Sequence, residues 1–147
     1  MSDTNTKDNT MSESNEPKCA TPGHISWNEL ISNNPQAAGE FYRQLFGWHP
    51  EPFVPQGTPP GVPPYTLFKI NPGDERAAAG MLQAMRPEMP RQWVPYVVVT
   101  NADTSLAKAV ALGAKVLAPV MAIGEVGRIA LIQDPQGATI GLHELPN

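Results

Sequence analysis

Near its C-terminal end the chain alternates apolar and polar residues with the period of a strand, breaks at a turn, and resumes. Ile129 to Ile132 is an apolar run. Beyond the turn, Ile140 and Leu142 point one way, and Thr139, Gly141 and His143 the other. Between them lies Asp134-Pro135-Gln136-Gly137. Pro135 presets φ at the second position, Asp134 accepts local backbone hydrogen bonds, and Gly137 relieves crowding at the fourth. The pattern predicts a hairpin over Arg128–Glu144. An earlier stretch repeats it: Tyr65–Ile70, Asn71-Pro72-Gly73, then Ala77–Gln83. Aligning the two sets Gly80 opposite Gly141.

Helical spacing appears twice. Ala38, Phe41, Tyr42 and Leu45 form one apolar stripe, with Asn34 as N-cap, Pro35 in the first turn and Gly47 as the stop. Leu106, Ala109, Val110 and Gly113 form the other, capped by Asn101 or Asp103. Strands are predicted before each helix, at His24–Ile31 and Tyr96–Thr100. Others follow them, at Trp48–Val54 and at Lys115–Leu117 with Val120–Ile123. In the first strand Ile25, Trp27, Glu29 and Ile31 share one face, and His24, Ser26, Asn28 and Leu30 the other. Val54–Pro64 holds five prolines and two glycines and reads as a loop. Ala84–Pro95 reads as an irregular connector.

The chain therefore repeats one unit, strand–helix–strand–strand–strand. Module one covers about residues 23–84 and module two about residues 94–145. The predicted fold class is α+β: two β-α-β-β-β modules forming a curved mixed sheet that encloses a cup-like cavity. Each helix covers one sheet face, and the other curls into the cup. Two units are too few for a solenoid, which needs about three. Residues 1–22 are polar, without apolar period, and read as a disordered tail before a domain over 23–147.

Composition narrows the classes of function. The chain has 147 residues, 41% of them hydrophobic, enough for one domain with a sizeable core. Net charge is −4 with no basic cluster, which argues against nucleic acid or an anionic membrane surface as partner. No apolar run approaches the roughly 20 residues of a membrane span, and the N-terminus lacks a signal-peptide core. The single cysteine, Cys19, permits no disulfide framework. These features predict a soluble, cytoplasmic protein.

Three stretches together resemble the vicinal oxygen chelate superfamily, which includes glyoxalases, extradiol dioxygenases and bleomycin-resistance proteins. They are ELISNNPQAAGEFYRQLFGW from Glu29, its echo VVVTNADTSLAKAVALGAKV from Val97, and the DPQG turn followed by IGL. The resemblance implies a divalent metal in the cup, held by His, Gln or Glu from the first and last strands of each module. By the same motifs those positions fall here on Trp27, near Val94, on Gly80 and on Gly141. None has a side chain that binds a cation, and such sites need about three or more N, O or S ligands. The expected cofactor is therefore none. A second chain often flanks such a cup, so a homodimer is compatible with the resemblance.

The candidate catalytic residues are Glu29 and His143. Parity places both on the cup face, as a hydrogen-bonded acid–base pair or as ligands of a displaced metal. The plainer alternative sets Glu29 against a backbone group or an arginine and His143 at a wet strand end. Trp27, Phe68, Trp93 and Tyr96 are candidate aromatic walls for an organic ligand, with ordinary core packing as the alternative. Arg128 is a candidate partner for a ligand carboxylate, or a surface ion pair. The reading adopted is a small-molecule binding protein without metal, with Trp27, Glu29, Phe68, Trp93, Tyr96, Arg128 and His143 as ligand-binding candidates. The alternatives are a lyase or dioxygenase with displaced metal ligands, a metal-independent enzyme with Glu29 as base, and an interaction module whose cup is filled by its own side chains.

Overall fold

The structure is a computed structural model that describes residues 20–147. The tail expected over residues 1–22 lies almost wholly outside the described residues. The elements run β1 (Ile25–Ser32), α1 (Pro35–Phe46), β2 (His49–Phe53), β3 (Tyr65–Lys69), β4 (Ala79–Gln83), β5 (Trp93–Val99), α2 (Ala102–Ala111), β6 (Lys115–Ile123), β7 (Gly127–Gln133) and β8 (Thr139–Glu144). A short 3-10 turn, Gly124–Val126, joins β6 to β7.

All eight strands form one mixed sheet in the order β2-β3-β4-β1-β5-β8-β7-β6. Each module contributes four neighbouring strands. They meet at the antiparallel pair β1–β5, where Trp27 faces Tyr96 and Glu29 faces Val94. Within module one Glu29 pairs with Gly80, and within module two Tyr96 pairs with Gly141. Glu29 and Tyr96 are thus equivalent positions in the repeat, 67 residues apart, the same offset as the N-caps Asn34 and Asn101.

Both helices start as predicted. Asn34 Oδ1 accepts from Ala37 N–H at 3.1 Å and Asn101 Oδ1 from Thr104 N–H at 2.9 Å. Gly47 ends α1 at φ 75°, a conformation that only glycine adopts without strain. Helix α1 covers Leu30, Phe68, Ala79 and Met81 through Ala38 and Tyr42. Helix α2 covers Ala130, Ile132 and Leu142 through Leu106 and Ala109. The opposite face forms the third cluster, built on Ile31, Met89, Val94, Tyr96, Leu117 and Leu131.

Strand β5 begins at Trp93, three residues before the predicted start at Tyr96. Pro95 marked that stretch as irregular, but it lies inside the strand. The backbone bond from Ile31 N–H to Gln92 O sets the alternation. Val94 and Tyr96 then bond toward β1, and Pro95 faces the β8 side, whose pairing starts only at Tyr96. The other strand prolines, Pro50, Pro52 and Pro119, sit on β2 and β6, the two sheet edges.

Candidate functional site

The cup face is set by strand parity. Trp27, Glu29 and Ile31 project into it from β1, Val94 and Tyr96 from β5, Gly141 and His143 from β8. Glu29 lies at its middle and is only 4% exposed. Burial in apolar surroundings would be costly for an unpartnered carboxylate, and here each oxygen has a partner. Tyr65 Oη donates to Glu29 Oε2 at 2.8 Å, and Tyr96 Oη to Oε1 at 2.9 Å. Trp27 Nε1–H donates to Tyr65 Oη at 2.9 Å, extending the chain of donors outward to a half-buried indole.

Desolvation by burial raises the Glu29 pKa above the ordinary carboxylate range, and the two phenol bonds offset only part of that. Burial also raises both tyrosine pKa values, and the negative charge of Glu29 adds to the shift. Both phenols are therefore neutral donors aimed at one carboxyl. The cluster can hold a proton on Glu29 closer to neutrality than a free carboxyl can, and can pass hydrogen bonds from Trp27 to Glu29.

The two glycines are where the cluster is seated. A Cβ on Gly80 would overlap the Tyr65 phenol, and a Cβ on Gly141 would overlap the Tyr96 ring. The space left by missing side chains at these positions is thus taken up by tyrosines from neighbouring strands. Met89, from the connector, packs into the same cluster of buried residues. Two open depressions, of about 580 and 320 Å³, lie elsewhere, on the outer side of α1 and between α1 and β2.

Several sequence-predicted site residues sit apart from this cluster. Glu29 and His143 do not form a hydrogen-bonded pair: Glu29 is held by the tyrosines, and His143 by Ser26 and the Val126 carbonyl. Phe68 and Trp93 are on the helix side of the sheet. They pack with Tyr42 and Trp48 under α1, ring centroids 5.1–6.4 Å apart. For Trp93 the cause is parity, since it stands one residue from cup-facing Val94. Arg128 is an ion-pair residue, bound to Glu144 and Asp103 at 2.7 Å each. Glu144 also accepts from Ala102 N–H at 2.7 Å, tying the start of α2 to the hairpin. Trp27, Glu29 and Tyr96 do come together.

Tyr65 and Ser26 are the residues that the sequence reading missed. Tyr65 shares parity with Leu67, which pairs with Gly80, so an aromatic ring two residues away beside a glycine was the available signal. Ser26 was placed on the opposite face. A β-bulge between Ile25 and Trp27 re-aims it toward His143.

Comparison with known proteins agrees with this architecture. The chain belongs to a family described as "Glyoxalase-like domain", whose sequence profile matches residues 29–143. This family lies within the vicinal oxygen chelate superfamily that the motifs resemble. Among relatives, "Putative glyoxylase CFP32" of Mycobacterium tuberculosis is 34% identical over 83% of this chain and 46% of its own length. "Anthracycline biosynthesis protein DnrV" of Streptomyces peucetius is 29% identical over 82% of this chain and 46% of its own length. The chain thus spans about half the length of the curated relatives it matches. Among solved structures, a variant of Streptomyces coelicolor methylmalonyl-CoA epimerase in complex with 2-nitronate-propionyl-CoA covers 86% of this chain and 100% of its own, at 19% identity and TM-score 0.54. Methylmalonyl-CoA epimerase of Mycobacterium tuberculosis covers 92% of this chain and 96% of its own, at 16% identity and TM-score 0.51. At these identities the structures show a shared fold.

Proposed function

We propose that this chain is a small-molecule binding protein of the glyoxalase-like family in which a carboxyl–phenol cluster replaces the family's metal. The observation that carries the proposal is Glu29, buried at 4% exposure with each oxygen on a tyrosine hydroxyl. Apolar side chains would fill a cup more cheaply than a desolvated carboxyl, so a retained one suits recognition or proton transfer. Trp27, Gly80, Val94 and Gly141 offer no donor side chain where the family's ligands fall. Among the described residues no three His, Cys, Asp or Glu side chains come together. These residues do not fit a metal, and no step is routed through one.

The ligand enters beside Trp27 and Tyr65, the half-buried members of the cluster. A planar aromatic ring suits the indole and phenol faces, and an amine or hydroxyl suits the free lone pairs of Glu29. The name of one similar protein points the same way, a protein of anthracycline biosynthesis. Two alternative readings rest on the same site: a metal-independent reaction with Glu29 as base, and a cup closed by its own side chains that serves as an interaction module. The second is favoured by the tyrosines lying over Gly80 and Gly141.

Tryptophan fluorescence separates these readings. Titration with planar aromatic amines and hydroxyanthraquinones should quench the wild-type signal saturably. Trp27→Phe should lose that quenching, and Glu29→Gln should weaken binding about tenfold, the worth of one hydrogen bond to a charged group. No saturable quenching by any member, in a protein that melts cooperatively, would reject the binding reading in favour of the interaction module.

A further inference from the structure

Away from the Glu29 cluster, Ser26 and His143 form a second chemical grouping. Ser26 Oγ lies 2.8 Å from His143 Nδ1. His143 Nε2 lies 2.7 Å from the Val126 carbonyl oxygen. A carbonyl oxygen only accepts, so Nε2 carries the proton and Nδ1 of the neutral ring is an acceptor. The serine hydroxyl is the donor that faces it. Its other acceptor, the Tyr96 carbonyl, is 3.4 Å away and at the limit of a hydrogen bond.

The components come from distant parts of the chain. Ser26 is 117 residues from His143, and Val126 is 17 residues before it. Ser26 stands at the bulge where β1 slips by one residue against β5, between the pairs Ile25–Val97 and Trp27–Tyr96. Regular pleating would turn Ser26 toward the helix side. The bulge instead presents the hydroxyl to a histidine on β8. His143 is 8% exposed, so its ring is fixed by packing as well as by its two hydrogen bonds. Ser26 itself is half-buried and retains solvent access.

We infer that Ser26 and His143 form a nucleophile–base dyad that accepts an acyl group from an activated ester or thioester. The base touches the nucleophile, and a third group orients the base, as activated hydroxyl nucleophiles require. Ser26 Oγ attacks the acyl carbon while its proton passes to His143 Nδ1. The Oγ–C bond forms and the carbonyl π pair moves to oxygen. When that pair returns, the bond to the alkoxide, phenoxide or thiolate breaks, and the leaving group takes the proton from Nδ1. Water then attacks the acyl-serine, giving its proton to Nδ1. Ser26 Oγ recovers that proton as the carboxylic acid leaves. The Val126 carbonyl holds the Nε2 proton throughout and stabilises the charged ring.

The probe is p-nitrophenyl acetate on the full chain, with phenolate release followed by absorbance and the acetyl group located by peptide mass spectrometry. The expected result is a burst approaching one phenolate per chain, with acetyl on Ser26. Ser26→Ala should abolish the burst. His143→Gln should slow it about a hundredfold or more, the usual worth of a general base. The position of the acetyl group in wild type is a readout that does not depend on the variants folding. Acetyl found only on lysine or tyrosine, or an unchanged rate in folded His143→Gln, would overturn the assignment.

Discussion

Glu29 is the residue on which the site depends, and its protonation can be read as stability. Burial raises its folded pKa above the ordinary carboxylate range. The folded state therefore binds the proton more tightly than the unfolded chain does. The sign follows: Glu29 favours folding most at low pH, and that contribution is lost as pH rises through the folded pKa. Denaturant midpoints measured from acid to neutral pH should show wild type losing this increment, while Glu29→Gln lacks it. A variant with the same pH profile as wild type would mean that Glu29 is not desolvated. Parity in β1 was enough to place Glu29 and Trp27 on one face from sequence. It could not supply Tyr65, whose hydroxyl reaches Glu29 across 36 residues of intervening chain. Nor could it place Ser26, because a bulge changes parity without leaving a residue signature.

Among the elements, the glycines on β4 and β8 carry the most specific consequences. Gly141→Ala would place a methyl into the Tyr96 ring, which is 3% exposed and sits mid-strand with little freedom to move. A cost of about 1–3 kcal/mol is expected from overpacking of this kind. Gly80→Ala meets the hydroxyl end of Tyr65, a half-buried side chain at the first position of β3. That ring can swing outward, so its cost should be smaller and should appear as a weaker Trp27–Tyr65 hydrogen bond. Urea melts of both variants would test the order. Tyr96→Val combined with Gly141→Ala should cost less than the sum of the two, because the ring that clashes is gone. An additive result would mean that the two residues do not compete for the same space. The sequence aligned these glycines correctly through the repeated hairpin. It left open what filled the space beside them, because filling depends on which neighbouring strand supplies a large side chain.

At the scale of the molecule, two β-α-β-β-β modules meet at β1–β5 and bring Glu29 and its repeat-equivalent Tyr96 together. The module order, both helix caps and the closing hairpin were legible in the sequence because each rests on local chemistry: Asn34, Asn101, Gly47 and the Asp134–Gly137 turn. The side chains that meet at the cup come from β1, β3, β5 and β8, and their meeting is a property of sheet order. Among the described residues no helix is long and apolar enough to cross a membrane. In the function we propose, the carboxyl–phenol cluster of Glu29, Tyr65 and Tyr96 stands where the family's metal would be held. Elemental analysis of protein purified without chelator, followed by melting with added zinc, nickel, manganese and ferrous iron, tests it most directly. The expected result is no stoichiometric metal and no metal-dependent rise in melting temperature. One metal per chain, retained by wild type and lost in Glu29→Gln, would contradict it.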